Sequence, residues 1–126
     1  MKTLIVGAGG QGGACASILA RQRSVEEIRL VDLKEETAMA VAKEIGSPRV
    51  KTGAVDATNP DDVEKVARGV DVVVDMVMPW MATYVMKGAL KARAHYINTA
   101  FDDPFWDEFL NGKSIKDLTL CKEFNE

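Results

Sequence analysis

Short runs of β-branched and aliphatic residues alternate along the chain with longer helical stretches. Thr3 to Val6, Ile28 to Val31, Val50 to Val55, Val70 to Val77 and Tyr96 to Thr99 read as strands. Gly10 to Gln22, Glu35 to Ile45, Pro60 to Arg68 and Trp80 to Ala92 read as the helices between them. The fourth strand, DVVVDMV, is apolar on nearly every residue, the pattern of a strand covered by helices on both faces. Local chemistry marks several boundaries. Gly46 follows the second helix as a stop, and Asn59-Pro60-Asp61-Asp62 opens the third with a capping side chain, a proline at the first helical position and two carboxylates on the positive dipole end.

Strand, helix and strand repeating at roughly 20–25 residues imply a parallel sheet, because parallel neighbours need a crossover and a right-handed helical crossover covers the sheet face. The expected class is α/β, a doubly wound parallel sheet of the Rossmann type with strand order 3-2-1-4-5. After the fifth strand the character changes. Phe101, Phe105, Trp106, Phe109 and Phe124 are five of the chain's eight aromatics. The last stretch, SIKDLTLCKEFNE, reads as a helix with Ser114 and Asp117 at capping-box spacing, and it reaches the final residue without a stop signal. The expectation is one α/β domain over residues 1–126, truncated before a sixth strand, with an edge strand left exposed.

Composition narrows the partners. The chain has 126 residues, enough for one domain, and a net charge of −3 with acidic and basic residues interspersed, so no basic stripe is present to neutralise a phosphate backbone. Nucleic acid is not an expected partner. The apolar runs are too short to cross a bilayer and the N-terminus lacks the layout of a signal peptide, which predicts a cytoplasmic protein without a membrane contact. Cys15 and Cys121 form no CxxC, and one histidine cannot build a ligand cluster, so neither a disulfide framework nor a metal site is expected.

The stretch GAGGQGG, residues 7–13, places five of the ten glycines directly after the first strand. Gly7, Gly9 and Gly12 spell G-x-G-x-x-G between a strand and a helix, with an acid, Asp32, at the end of the next strand. In such a unit Gly7 permits the tight turn, Gly9 lets the backbone approach a pyrophosphate, and Gly12 lets the helix pack closely on the strand. The N–H groups around Gly10 and Gln11 then face the diphosphate at the positive end of the helix dipole. Asp32, with Leu33 beside it, would accept both hydroxyls of the adenosine ribose and repel a 2′-phosphate. This favours NAD, although Lys34 two residues on leaves NADP open. Asp56 and Ala57, ending the third strand, are expected beside the adenine, and Met78 and Pro79, after the fourth, at the switch point near the nicotinamide half. Asp56 also reads as a turn or capping residue. Thr99 stands at the crevice end of the fifth strand with Asn98 and Ala100, followed by Asp102 and Asp103. His95 precedes that strand and so falls at the edge opposite the crevice. The methionines Met76, Met78, Met81 and Met86 read as flexible core filling. No residue presents itself as a catalytic acid or base.

The segments MKTLIVGAGGQGG, VDAT, DVVVDMVMP and HYINTAF, in this order and spacing, resemble the N-terminal NAD(P)-binding domain of saccharopine dehydrogenase-like oxidoreductases, over nearly the whole chain. The resemblance implies a nicotinamide cofactor and hydride transfer at a C–N bond of a small amino-acid-like substrate. It also implies a C-terminal domain that supplies most substrate and dimer contacts, a homodimer as the full-length protein, and an inactive isolated fragment. Many NADP-using relatives lack an acid where this chain has Asp32. A rival resemblance, of KTGAVDATNPDDVEKV to the regulatory nucleotide-sensing modules of potassium channels and transporters, is opposed by Pro79, HYINTAF and the aromatic tail.

Overall fold

In the computed structural model of the protein, residues 1–100, 108, 110–113 and 122–124 are described. Five strands, β1 (Lys2–Val6), β2 (Glu27–Asp32), β3 (Val50–Ala54), β4 (Val72–Asp75) and β5 (His95–Asn98), form one sheet of order β3-β2-β1-β4-β5. All pairings are parallel, with Ile5 opposite Leu30 on one side and Val74 on the other. The expected class and strand order are therefore the observed ones. Four helices, α1 (Gly10–Leu19), α2 (Glu35–Ile45), α3 (Pro60–Ala67) and α4 (Ala82–Lys91), make the crossovers.

Strand alternation splits the core into two layers. Leu4, Val6 and Val73 pack with Val63 and Ala67 of α3 and Val85 and Ala89 of α4, whereas Ile5, Ile28 and Leu30 pack with Ala16 of α1 and Ala38 of α2. The two helices of the first layer meet closely: a Cβ on Gly88 would stand 2.5 Å from Val63. Helix ends are closed by side chains and by backbone geometry. Asn59 Oδ1 accepts the Asp61 N–H at 3.0 Å, Gly46 takes the left-handed conformation after α2, and Arg49 donates to the carbonyls of Ala20, Gln22 and Val25 beyond the end of α1.

Several elements differ in their bounds from the sequence pattern. β4 covers Val72–Asp75 rather than Val70 to Val77. At its start Gly69 turns the chain at φ +79° and the Val70 N–H returns to the Ala67 carbonyl at 3.1 Å; at its end the Val77 N–H bonds to the Asp75 side chain. α1 stops at Leu19 because the Arg21 and Gln22 N–H groups tighten onto Ile18 and Leu19, three residues back. Pro79–Met81 forms a separate single 3₁₀ turn before α4, and His95 belongs to β5 itself.

Of the aromatic tail, Phe124 lies within the described residues; its ring centroid is 6.2 Å from that of Tyr96. Phe101, Phe105, Trp106, Phe109, Asp102, Asp103, Cys121 and the Ser114–Asp117 capping pair lie outside them. No helix among the described residues is long and apolar enough to cross a membrane.

Candidate functional site

A cleft of about 700 Å³ opens across the carboxyl ends of the strands, the position at which open parallel sheets take their ligands. Every residue expected at a cofactor from the sequence, apart from Gly12, lines it: Gly7, Gly9, Gly10, Gln11, Asp32, Leu33, Asp56, Ala57, Met78, Pro79 and Thr99. Val6, Val55, Thr58, Met76, Val77, Met81 and Ala100 complete the wall.

The glycines do different jobs. Gly7 has φ +101°, its N–H bonds to the Val31 carbonyl at 2.8 Å, and a Cβ there would meet the Met76 carbonyl oxygen at 2.9 Å. A Cβ on Gly12 would stand 1.8 Å from the Gly7 carbonyl oxygen, so this glycine serves helix–strand contact and not the cleft surface. At Gly9 and Gly10 nothing lies within 4 Å of the point a Cβ would occupy, and the backbone there is open to close approach. The Gly13 N–H makes the α-type bond to the Gly9 carbonyl at 2.8 Å. The N–H groups of Gly10, Gln11 and Gly12 precede this first intrahelical donor and have no acceptor within the helix.

Asp32 closes the loop from the other side. Its Oδ2 accepts the Ala8 N–H at 2.9 Å and its Oδ1 the Lys34 N–H at 3.4 Å, so the carboxylate is oriented by the backbone on both flanks. Leu33 beside it is 70% exposed. At the end of β3, Asp56 Oδ1 accepts the Thr58 hydroxyl at 2.6 Å and the Thr58 N–H at 2.9 Å, and these bonds hold its carboxyl below the usual range, the hydroxyl contributing most. The Asp56 N–H in turn donates to Asp62 Oδ2 at 2.8 Å, anchoring the turn to α3.

The opposite wall is apolar. Met76, Val77, Met78, Pro79 and Met81 descend from β4 into α4, with Thr99 and Ala100 after β5. Among the described lining residues the carboxylates are Asp32 and Asp56, and both stand on the β2–β3 side. His95 is exposed at the start of β5, opposite Val72 and away from the cleft. Asn98 pairs with Asp75 and does not line the cleft. Met76, Met78 and Met81 wall the cleft, and Met76 and Met81 also pack against the two core layers; Met86 is buried in α4, so core filling describes all but the exposed Met78.

Sequence reasoning passed over Asp75, the last residue of β4. It is 4% exposed, accepts the Tyr96 hydroxyl at 2.7 Å and the Val77 N–H at 3.0 Å, and is pushed above the usual carboxylate range by burial despite those two bonds. An acid inside an otherwise apolar strand was the available signal.

Residues 3–119 match the saccharopine dehydrogenase NADP binding domain. The chain belongs to this family. It is 33% identical over 105 residues to carboxyaminopropylagmatine dehydrogenase of Synechocystis sp., an alignment that covers 82% of this chain and 26% of that protein. Among solved structures, the apo saccharopine dehydrogenase (L-Glu forming) of Saccharomyces cerevisiae superposes with a TM-score of 0.72 at 22% identity, over 82% of this chain and 22% of that one. Quinate dehydrogenase of Corynebacterium glutamicum in complex with NAD gives 0.62 at 21% identity, over 98% and 40%. The chain thus spans about a quarter of the curated relative that it matches. At these identities the structural likenesses speak for the fold; the family match makes NAD(P) the cofactor class.

Proposed function

We propose that this chain is the cofactor-binding domain of a longer two-domain oxidoreductase that transfers hydride at a C–N bond of an amino-acid-like small molecule, as a homodimer. The observation that carries the reading is the convergence, in one cleft, of the open Gly9–Gly10 backbone, the unbonded first turn of α1 and the oriented Asp32 carboxylate. These residues fit a dinucleotide. The first-turn N–H groups and the positive end of α1 suit a diphosphate, which a Cβ at Gly9 would crowd. Asp32 suits a ribose diol and disfavours a 2′-phosphate, so the preferred form is NAD. Asp56 and Ala57 would border the adenine, and the methionine wall with Pro79 and Thr99 would border the nicotinamide.

The bound nicotinamide supplies the hydride chemistry. The described walls near its end carry no ionisable side chain in this cleft, so the proton that accompanies reduction of an imine is handled by a group beyond them. The short share of its relative that the chain covers, and the substrate named for that relative, support an amine or imine reactant and a further domain.

Titration calorimetry with NAD⁺, NADH, NADP⁺ and NADPH tests the reading. The NAD pair should bind more tightly, and Asp32→Ala should weaken it about tenfold or more, the size of a hydrogen bond to a charged group, while tightening the NADP pair, whose 2′-phosphate the carboxylate no longer repels. Equal binding of all four that is indifferent to Asp32→Ala would reject the ribose assignment.

A further inference from the structure

We infer that Asp75 is a positioning residue for this cleft: from inside the core it sets the backbone of the wall after β4 through the Val77 N–H and, through Tyr96, locks that wall to β5. The inference rests on the dinucleotide reading above and extends it to the nicotinamide end. Asp75 does not line the cleft, whereas the three residues after it do. Its carboxylate lies on the α3–α4 face of the sheet, the face of Val73 and Val6. An apolar side chain would suit that environment better, since a carboxylate taken from water is tolerated only when hydrogen bonds replace its hydration.

Both replacements act on the cleft. The bond from the Val77 N–H to Oδ1, two residues on, is a local side-chain turn that takes the place of a ladder bond, ends β4 and swings Met76 to Pro79 across the strand ends. In that course the Met76 carbonyl oxygen comes to 2.9 Å from the position a Gly7 Cβ would take, so the same turn seats the apolar wall against the glycine loop. The bond from the Tyr96 hydroxyl to Oδ2 crosses to β5, and Tyr96 carries the ring of Phe124 at 6.2 Å. Burial raises the pKa of Asp75, consistent with a carboxyl kept there for its acceptors and not for exposure to solvent.

A purely structural carboxylate would affect all ligands alike; a positioning one would affect only the part of the ligand that meets this wall. The test measures affinities of the chain for NADH and for ADP-ribose, which lacks the nicotinamide, in wild type, Asp75→Val, Asp75→Asn and Tyr96→Phe. Asp75→Val removes both acceptors while keeping a strand-compatible apolar core residue, and should weaken NADH about tenfold with ADP-ribose within about twofold. Asp75→Asn, which retains an acceptor for Val77, should restore NADH to within about threefold of wild type. Should Asp75→Val fail to fold, Tyr96→Phe carries the test, with the NADH to ADP-ribose ratio falling about threefold. Equal loss for the two probes, or an unchanged ratio in the folded variants, overturns the positioning role and leaves the cofactor site standing. Wild type binding neither probe overturns both.

Discussion

The two ends of the cleft are built on opposite plans. On the β1–β3 side the surface is backbone and carboxylate: an open glycine turn, Asp32 gripped by the Ala8 N–H, and Asp56 gripped by Thr58. On the β4–β5 side it is chiefly methionine, proline and valine, and Asp75, the nearby acid among the described residues, is turned inward. The first plan exposes groups that a polar ligand must meet at fixed points, so its residues are held both by bonds two positions away, Lys34 to Asp32 and Thr58 to Asp56, and by the bond that crosses from the Ala8 N–H to Asp32. The second exposes shape, and the polar groups that set the shape are hidden beneath it. Polarity at the surface is thus a poor guide to where the polar architecture lies.

The sharpest way to break the comparison is within the glycine loop. Gly12→Ala drives a methyl into the Gly7 carbonyl and should destabilise the chain by about 3 kcal/mol or more. Gly9→Ala meets nothing and should leave stability within about 0.5 kcal/mol while weakening NADH about tenfold. Urea unfolding beside calorimetry separates the two, and a Gly12→Ala chain as stable as wild type would mean that the loop relaxes freely.

The two sides should also respond to pH with opposite sign. Glu27 on β2 accepts from Arg29 Nε at 2.7 Å and Lys51 Nζ at 2.8 Å, and these partners lower its pKa to about 2. Its contribution is present above the ordinary carboxylate range and is lost as pH falls towards that value; with solvent screening it amounts to about 1 kcal/mol, which Glu27→Gln should remove. Asp75 on β4 is raised instead, so its contribution is complete below the ordinary carboxylate range and declines as pH rises through its own pKa. Asp75→Asn should abolish that decline. Urea midpoints taken from about pH 2 to about pH 8 show both limbs; a Glu27→Gln acid limb identical to wild type would remove the first assignment.

A further modest effect falls on β1, shared by both sides. The buried Thr3 hydroxyl has no hydrogen-bond partner among the described residues, so Thr3→Val should raise stability by about 1 kcal/mol. Differential scanning calorimetry that shows a loss would point to an ordered water on that oxygen.

How legible each side was follows from the same contrast. The glycine loop and Asp32 stand at the fixed places of a strand–helix–strand motif, and Asp56-Ala57 at the end of the next strand, so they are visible in one dimension. Asp75 is meaningful only with Tyr96, 21 residues later and on the neighbouring strand. Likewise the end of β4 is decided by a side chain competing for the Val77 N–H, which strand propensity does not report. In the sequence Gly88 is one more helical residue, and its role depends on Val63 of α3, which packs against it. The strand order was legible because crossover handedness and the switch point leave few alternatives; the inward turn of the fourth strand's acid was not.

The position of β1 between β2 and β4 has a kinetic consequence. β1 is synthesised first, yet its second neighbour arrives only with Val72 to Asp75. At about 5–20 residues per second, the interval from Val6 to Val72 lasts roughly 3 to 13 s, during which one hydrogen-bonding edge of the most deeply buried strand has no partner on the nascent chain. Synthesis therefore exposes an adhesive edge at the centre of the future sheet, and that interval is where chaperone capture or misassembly between chains has its opening.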